Sequence, residues 1–436
     1  MKRIFVLLLL ISFSIKGFSQ LTNPDADVDW LTGKVEDGSR IISTGVPLLL
    51  IAPDSRAGAL GDLGAASTPD ANAIHWNASK LSFMEKNAGL TFTYSPWLRE
   101  IVSDIKLMYL SGYFRIDDRS TIGASLTYFS LGSIDFFSEE GVSTGTYKPN
   151  EFAIDLAYSM KLSENLALAL TGRYIRSDLT QGQNVGTTAT HAANAAAADL
   201  GLYYQNTFGD ELPSEYAFGL QISNLGTKIS YSDNMESAFL PANLRLGGRY
   251  TMNFDQFNSL SIMADVNKLL VPTPPVLDEN GDIYAGMDPN VGIVQGAIQS
   301  FYDAPNGLKE ELQEFTLSVG AEYWYNKILA VRAGYFYEAP NKEAIQSFYD
   351  APNGLKEELQ EFTLSVGAEY WYNKILAVRA GYFYEAPNKG ARQYLTLGAG
   401  LRYNVMGLDI SYLISTAALN NNPLKNTLRV SLSFDL

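Results

Sequence analysis

The chain has 436 residues, a formal net charge of −15, no cysteine, and 12% aromatic residues, with Tyr the commonest aromatic at 26. An acidic chain of this kind is a poor partner for phosphate backbones, and the absence of cysteine excludes disulfides, covalent haem attachment and thiolate metal sites. Beyond residue 19 no stretch approaches the ~18 uncharged apolar residues of a helical membrane span, which leaves a soluble all-β protein or a membrane barrel.

Residues 1–19 read as a signal peptide. Lys2 and Arg3 precede an apolar core at 4–13, and small Gly17 and Ser19 set up cleavage before Gln20. Losing Lys2, Arg3 and Lys16 takes the formal charge from −15 to −18. Residues 20–45 form a polar, acidic stretch, expected to be a periplasmic arm. Asp25, Asp27 and Asp29 alternate there, but without the glycine and terminal glutamate of a calcium loop. Residues 46–86 are rich in apolar and small residues. A short strand is expected at 48–51 and a short helix at 56–66. The glycines at 58–64 lack the Gly-Lys-Ser/Thr ending of a phosphate loop; small residues here let a helix pack closely on a wall.

From residue 87 to 436 the pattern changes to period two. In 151–162, Phe152, Ile154, Leu156, Tyr158, Met160 and Leu162 share one face, and Glu151, Asp155, Ser159 and Lys161 the other. The last stretch, 427–436, alternates Leu428, Val430, Leu432, Phe434 and Leu436 against polar residues throughout, as a strand closing a barrel would. Sixteen such segments can be counted. Their connections mostly alternate between tight (117–119, 163–164, 326–327, 404–407) and long (96–104, 132–150, 177–196, 225–242, 269–314). Loop length sorted by rim is a habit of outer-membrane barrels, and a sheet in a bilayer must close because lipid tolerates no open edge. The expected fold is therefore all-β: a closed antiparallel transmembrane β-barrel.

Residues 297–342 recur letter for letter as 344–389, an offset of 47. Structural repeats ordinarily drift, so identity points to a recent tandem duplication or to an artefact of assembly. Each copy holds a loop and one hairpin. The barrel is expected to have 14 strands, or 16 if the duplicated hairpin joins the wall.

Catalytic, cofactor and metal sites are not expected. His75 and His191 are the only histidines, and they show no metal-pair spacing. His191 beside Thr188 and Thr190 is a faint hydrolase candidate and reads more simply as a polar loop residue. Asp155, Arg173, Arg245, Arg249, Glu322, Arg332 and Arg402 fall on the inward face, as lumenal filling. Phe136 and Phe137, and next Trp97 and Leu98, sit in long loops as candidate anchors for a partner.

The stretch 54–83, DSRAGALGDLGAASTPDANAIHWNASKLSF, resembles the N-terminal signature of FadL-like barrels, and among them the PorV (LptO) family of the type IX secretion system. Asp54, Ser55, Arg56, Gly58, Gly61 and Gly64 match the glycine-rich small helix, and Trp76-Asn77-Ala78 the Asn-Pro-Ala element, though the proline after Asn77 is missing. The resemblance implies a non-enzymatic protein of the bacterial outer membrane, set among lipid and lipopolysaccharide. It implies a 14-stranded FadL-like barrel whose residues 46–86 form a plug carrying Arg56, Gly58, Gly61, Gly64, Trp76 and Asn77. It also implies partners: the type IX translocon barrel, other secretion subunits, and cargo bearing a C-terminal signal domain, passed on to the surface attachment complex. The alternative within the superfamily is a FadL-type transporter of hydrophobic small molecules.

Overall fold

The computed structural model describes residues 28–29, 34–35, 42–96, 104–137, 143–182, 189–233, 237–278, 280–338, 361–385, 393–416 and 428–436. The expected signal peptide, 1–19, and both Trp97 and Leu98 lie outside the described residues.

Sixteen strands run as one meander: β1 (Ala88–Pro96), β2 (Ile105–Arg115), β3 (Ser120–Leu131), β4 (Asn150–Lys161), β5 (Leu166–Asp178), β6 (Ala193–Phe208), β7 (Ser214–Gly226), β8 (Asn243–Asn253), β9 (Asn258–Leu269), β10 (Phe315–Tyr325), β11 (Leu329–Glu338), β12 (Glu361–Tyr372), β13 (Leu376–Glu385), β14 (Gln393–Tyr403), β15 (Met406–Ser415) and β16 (Leu428–Asp435). Each pairs antiparallel with the next, and β16 closes on β1 from Val430 opposite Tyr94 to Asp435 opposite Gly89. The closed wall leaves no edge to pair with another chain.

Apolar and polar faces are arranged as lipid requires, apolar outside. On β4, Ile154, Leu156 and Tyr158 are exposed, whereas Glu151, Asp155 and Ser159 are buried against the lumen. The hairpins β10–β11 and β12–β13 turn through Asn326–Lys327 and Asn373–Lys374, all four with positive φ, which asparagine tolerates and which matches strand twist. Phe114, Phe254, Phe257, Tyr325, Tyr372 and Tyr403 stand exposed near this tight-turn rim as an aromatic girdle. Every long connection lies at the other rim. Both copies of the duplicated hairpin enter the wall, β10–β11 and β12–β13, so the wall has 16 strands, not 14.

Inside the cylinder lie residues 46–83. The strand expected at 48–51 is instead a 3₁₀ turn, Pro47–Leu50, because Pro47 fixes a helical φ directly after Val46 enters in the left-handed region. The helix expected at 56–66 is shorter, α1 (Ser55–Ala59), and ends where Gly61 takes φ +81. A second short helix, α2 (Ala73–Trp76), runs into a 3₁₀ turn at Ala78–Phe83 that leads to β1. Residues 42–45, expected in a periplasmic arm, pack at the long-loop rim: the amide of Gly45 donates to the carbonyl of Phe239 at 2.8 Å, and Ile42 contacts Leu269 and Val271. Apolar Val46, Leu48 and Leu49 seek the greasy layer that Ile105, Phe129, Ile175 and Leu240 offer at that rim.

Candidate functional site

The lumenal segment is held in three layers. The uppermost is the apolar cluster just described. In the middle, charge meets backbone: the amides of Gly64 and Ala65 both donate to one Asp265 carboxylate oxygen on β9, at 2.7 and 2.9 Å. Charge-assisted bonds of this kind are worth about 1.5–3 kcal/mol each. Asn77 donates to the carbonyls of Ala65 and Leu202, both at 3.0 Å, tying the segment to itself and to β6. Asp54 caps α1 through the Ala57 amide at 2.9 Å and accepts from the Trp76 indole at 2.7 Å. The Arg245 guanidinium lies 4.5 Å over the Trp76 ring. Lowest, Arg56 bridges Asp70 and the wall residue Glu322, both at 3.1 Å.

Of the residues singled out by sequence, Arg56, Gly61, Gly64, Trp76 and Asn77 meet in this assembly. Gly58 does not share their constraint, since a side chain there would meet only Asp62, at 3.7 Å. Gly64 is pressed on the Trp76 ring. Gly61 lies backbone to backbone on β11: a Cβ on Gly334 would come within 2.1 Å of the Gly61 nitrogen. On β7, a Cβ on Gly219 would meet the Ala65 carbonyl at 2.0 Å. Sequence reasoning does not single out these wall glycines, although an inward glycine inside a strand does mark a close backbone approach.

The inward charges are paired: Arg173 with Asp155 and Asp199, Arg249 with Glu215, Arg332 with Glu322, and Arg402 with Asp409. Arg245 instead bonds Asn267 at 2.6 Å. A cavity of about 570 Å³ lies at the tight-turn end, lined by Arg56, Glu215, Arg249, Glu322 and Lys327 among others. Its charged lining is unlike the apolar pockets that hold hydrophobic molecules. His75 packs edge-on against Trp76 at 4.7 Å, and His191 lies 3.6 Å from Asp233.

Phe136 and Phe137 belong to a two-stranded ribbon, Ile134–Phe137 against Ser143–Tyr147, standing off the wall between β3 and β4. A larger feature rises from residues 270–314, at the same rim. There α3 (Ile293–Gln299) and α4 (Leu308–Gln313) are turned inside out. Val294 and Ile298, four residues apart, share an exposed face of α3, and Leu308 and Leu312 do the same on α4. Tyr284 and Tyr302 add to this apolar surface at 80% and 61% exposure. α3 buries Gly296 and Gln299, and the acidic face of α4 points inward, with Glu310 and Glu311 buried. The reason is Lys268, fully buried at the end of β9, which takes Glu311 and Glu314 at 2.7 Å each. Thr273 adds a bond to Glu314 at 2.7 Å. An ordinary surface helix buries its apolar stripe, and soluble proteins seldom leave such patches bare without a partner.

The family model described as "Type IX secretion system protein PorV" matches residues 34–276. No curated protein matches the chain. Among solved structures, the toluene transporter TodX of P. putida is 12% identical, covering 87% of this chain and 97% of its own, at TM-score 0.43. The toluene transporter TbuX of Ralstonia pickettii is 13% identical over 90% and 100%, at TM-score 0.40. A Pseudomonas aeruginosa FadL homologue is 13% identical over 88% and 99%, at TM-score 0.39. These likenesses are distant, and the barrel's topology rests on its own strand pairing.

Proposed function

This chain belongs to the PorV family, outer-membrane components of the type IX secretion system, and from that premise we propose that it captures secreted cargo at the cell surface and passes it on. Cargo bearing a C-terminal signal domain is received from the translocon barrel and delivered to the attachment complex. The observation that carries this reading is the inverted pair of helices over the long-loop rim, whose leucine, isoleucine and valine side chains face outward. Protein partners supply the apolar cover that water does not. The plug serves as a brace that fixes the rim beneath those loops and closes the wide lumen to bulky molecules, while lipid and lipopolysaccharide surround the wall.

The ribbon carrying Phe136 and Phe137 is the second contact. Changing both to Ser is expected to reduce recovery of translocon and cargo proteins in affinity purification from native membranes by about tenfold, on the scale of one lost aromatic anchor. Barrel assembly, read by heat-modifiable migration, stays intact. Full recovery of partners removes these two residues from the interface. A barrel purified without any protein partner, coupled with uptake of hydrophobic solutes by the same cells, would instead favour transport.

A further inference from the structure

The duplication provides an internal control, because identical residues occupy two places on the wall. Gly320 and Gly334 of the first copy press on the plug: a Cβ at either would meet Leu60 or Gly61 backbone atoms within 2.8 Å. Their copies, Gly367 and Gly381, have no plug atom among their nearest neighbours and meet only the barrel's own strands. Glu322 holds the plug through Arg56, while its copy Glu369 holds only wall arginines, Arg332 and Arg379. The plug therefore reaches as far as β11 and β12.

Solvent access changes at the same point. The ion cluster beside the plug on β4–β6 is dry, with Arg173, Asp155 and Asp199 side chains 5%, 4% and 1% exposed. The chemically equivalent cluster on β13–β15 is wet, with Arg379, Arg402 and Asp409 at 26%, 31% and 25%. Thr396, Ser411 and Ser431 continue the half-exposed inward face upward. It ends near the long-loop rim beneath buried Tyr394 and Leu413, where Phe383 stacks on Tyr394 at 4.5 Å. Arg429, opposite Ser411, holds no ion pair among the described residues, and its buried Nε has no hydrogen-bond partner. Three guanidiniums, on Arg379, Arg402 and Arg429, thus share this face with three carboxylates, Glu369, Asp409 and Asp435.

We propose that the second hairpin copy opens a water-filled crevice between the plug and β13–β16, entered from the tight-turn rim, that admits small hydrophilic molecules. Widening a barrel by two strands enlarges its lumen, and a plug that fits fourteen strands no longer touches the whole wall.

The chain has no native cysteine, so single cysteines report access directly. Purified full-length Thr396→Cys and Ser411→Cys variants are treated with an anionic sulfonatoethyl and a cationic trimethylammonium methanethiosulfonate, each rate referred to free cysteine. Both positions are expected to react at least ~10-fold faster than Ser159→Cys, which lies fully buried on the plugged side. Both reagents, opposite in charge, are expected to show this access, as a hydrated passage allows. Deleting residues 343–389 should slow Thr396→Cys to the rate of Ser159→Cys; if that shortened chain does not fold, the comparison within the full chain decides. Rates as slow as Ser159→Cys, or undiminished labelling in a folded deletion chain, would each overturn the proposal.

Discussion

Replacing Lys268 by Met should release the helical loop of residues 270–314 from the barrel rim at a cost of about 3–5 kcal/mol, the usual penalty for stranding a buried charge. The lysine is fully buried and takes Glu311 and Glu314 at 2.7 Å each, with the rings of Phe315 and Phe301 at 5.1 and 5.6 Å. Without it, two carboxylates share a dry site with no cation. The inexpensive escape is for α4 to turn its acidic face to water, which removes the apolar display. Amide exchange of α4 is expected to accelerate by a hundredfold or more, since about 3 kcal/mol is two decades. The triple variant Lys268→Met, Glu311→Gln, Glu314→Gln should regain much of the protection, because removing both signs of a buried pair is far milder than removing one. Unchanged exchange in the single variant would show that the loop is held by its apolar contacts alone. The duplicated segment repeats these acids as Glu358 and Glu361, but begins at Ala297 and brings no second Lys268.

The second large effect is positional. Gly334→Ala should unseat the plug, whereas the same change at its letter-for-letter copy, Gly381→Ala, should leave it in place. At Gly334 the new methyl would lie 2.1 Å from the Gly61 nitrogen and the Leu60 carbonyl carbon, main-chain atoms that cannot move without shifting the whole segment. Overpacking of that kind costs about 1–3 kcal/mol. At Gly381 the nearest atom is the Thr396 hydroxyl oxygen, a side-chain tip that can rotate, and the expected change is within about 0.5 kcal/mol. Trypsin cleavage after Arg56 in the folded barrel, together with the urea midpoint, distinguishes the two. Equal effects at both positions would mean that the plug does not rest on β11.

How much of this is legible in the sequence follows from which forces are local. The wall states its faces directly: Ile154, Leu156 and Tyr158 alternate with Asp155 and Ser159, because lipid outside and charge inside impose period two on each strand. Loop parity then orients the rims. The strand count stays open between 14 and 16, since identical hairpins carry no mark of whether the cylinder closes around one or both. The lumenal segment is visible in outline through Arg56, Gly61, Gly64, Trp76 and Asn77. Its seat is not, because Gly219 and Gly334 acquire meaning only from the backbone lying across them. The rim helices escape notice for a related reason. Val294, Ile298, Leu308 and Leu312 look like the buried stripes of an ordinary amphipathic pair, and on α4 it is the distant Lys268 that reverses which face is inside.

The central claim is that this outward apolar face binds protein. Its most direct test is photo-crosslinking in living cells from a benzophenone side chain placed at Ile298 or Leu312, with Tyr403, exposed at the opposite rim, as reference. The account predicts discrete adducts with secretion-system proteins or their cargo from positions 298 and 312, and none of these from 403. Adducts with lipid alone at 298 and 312, or the same protein adducts from all three positions, would contradict it.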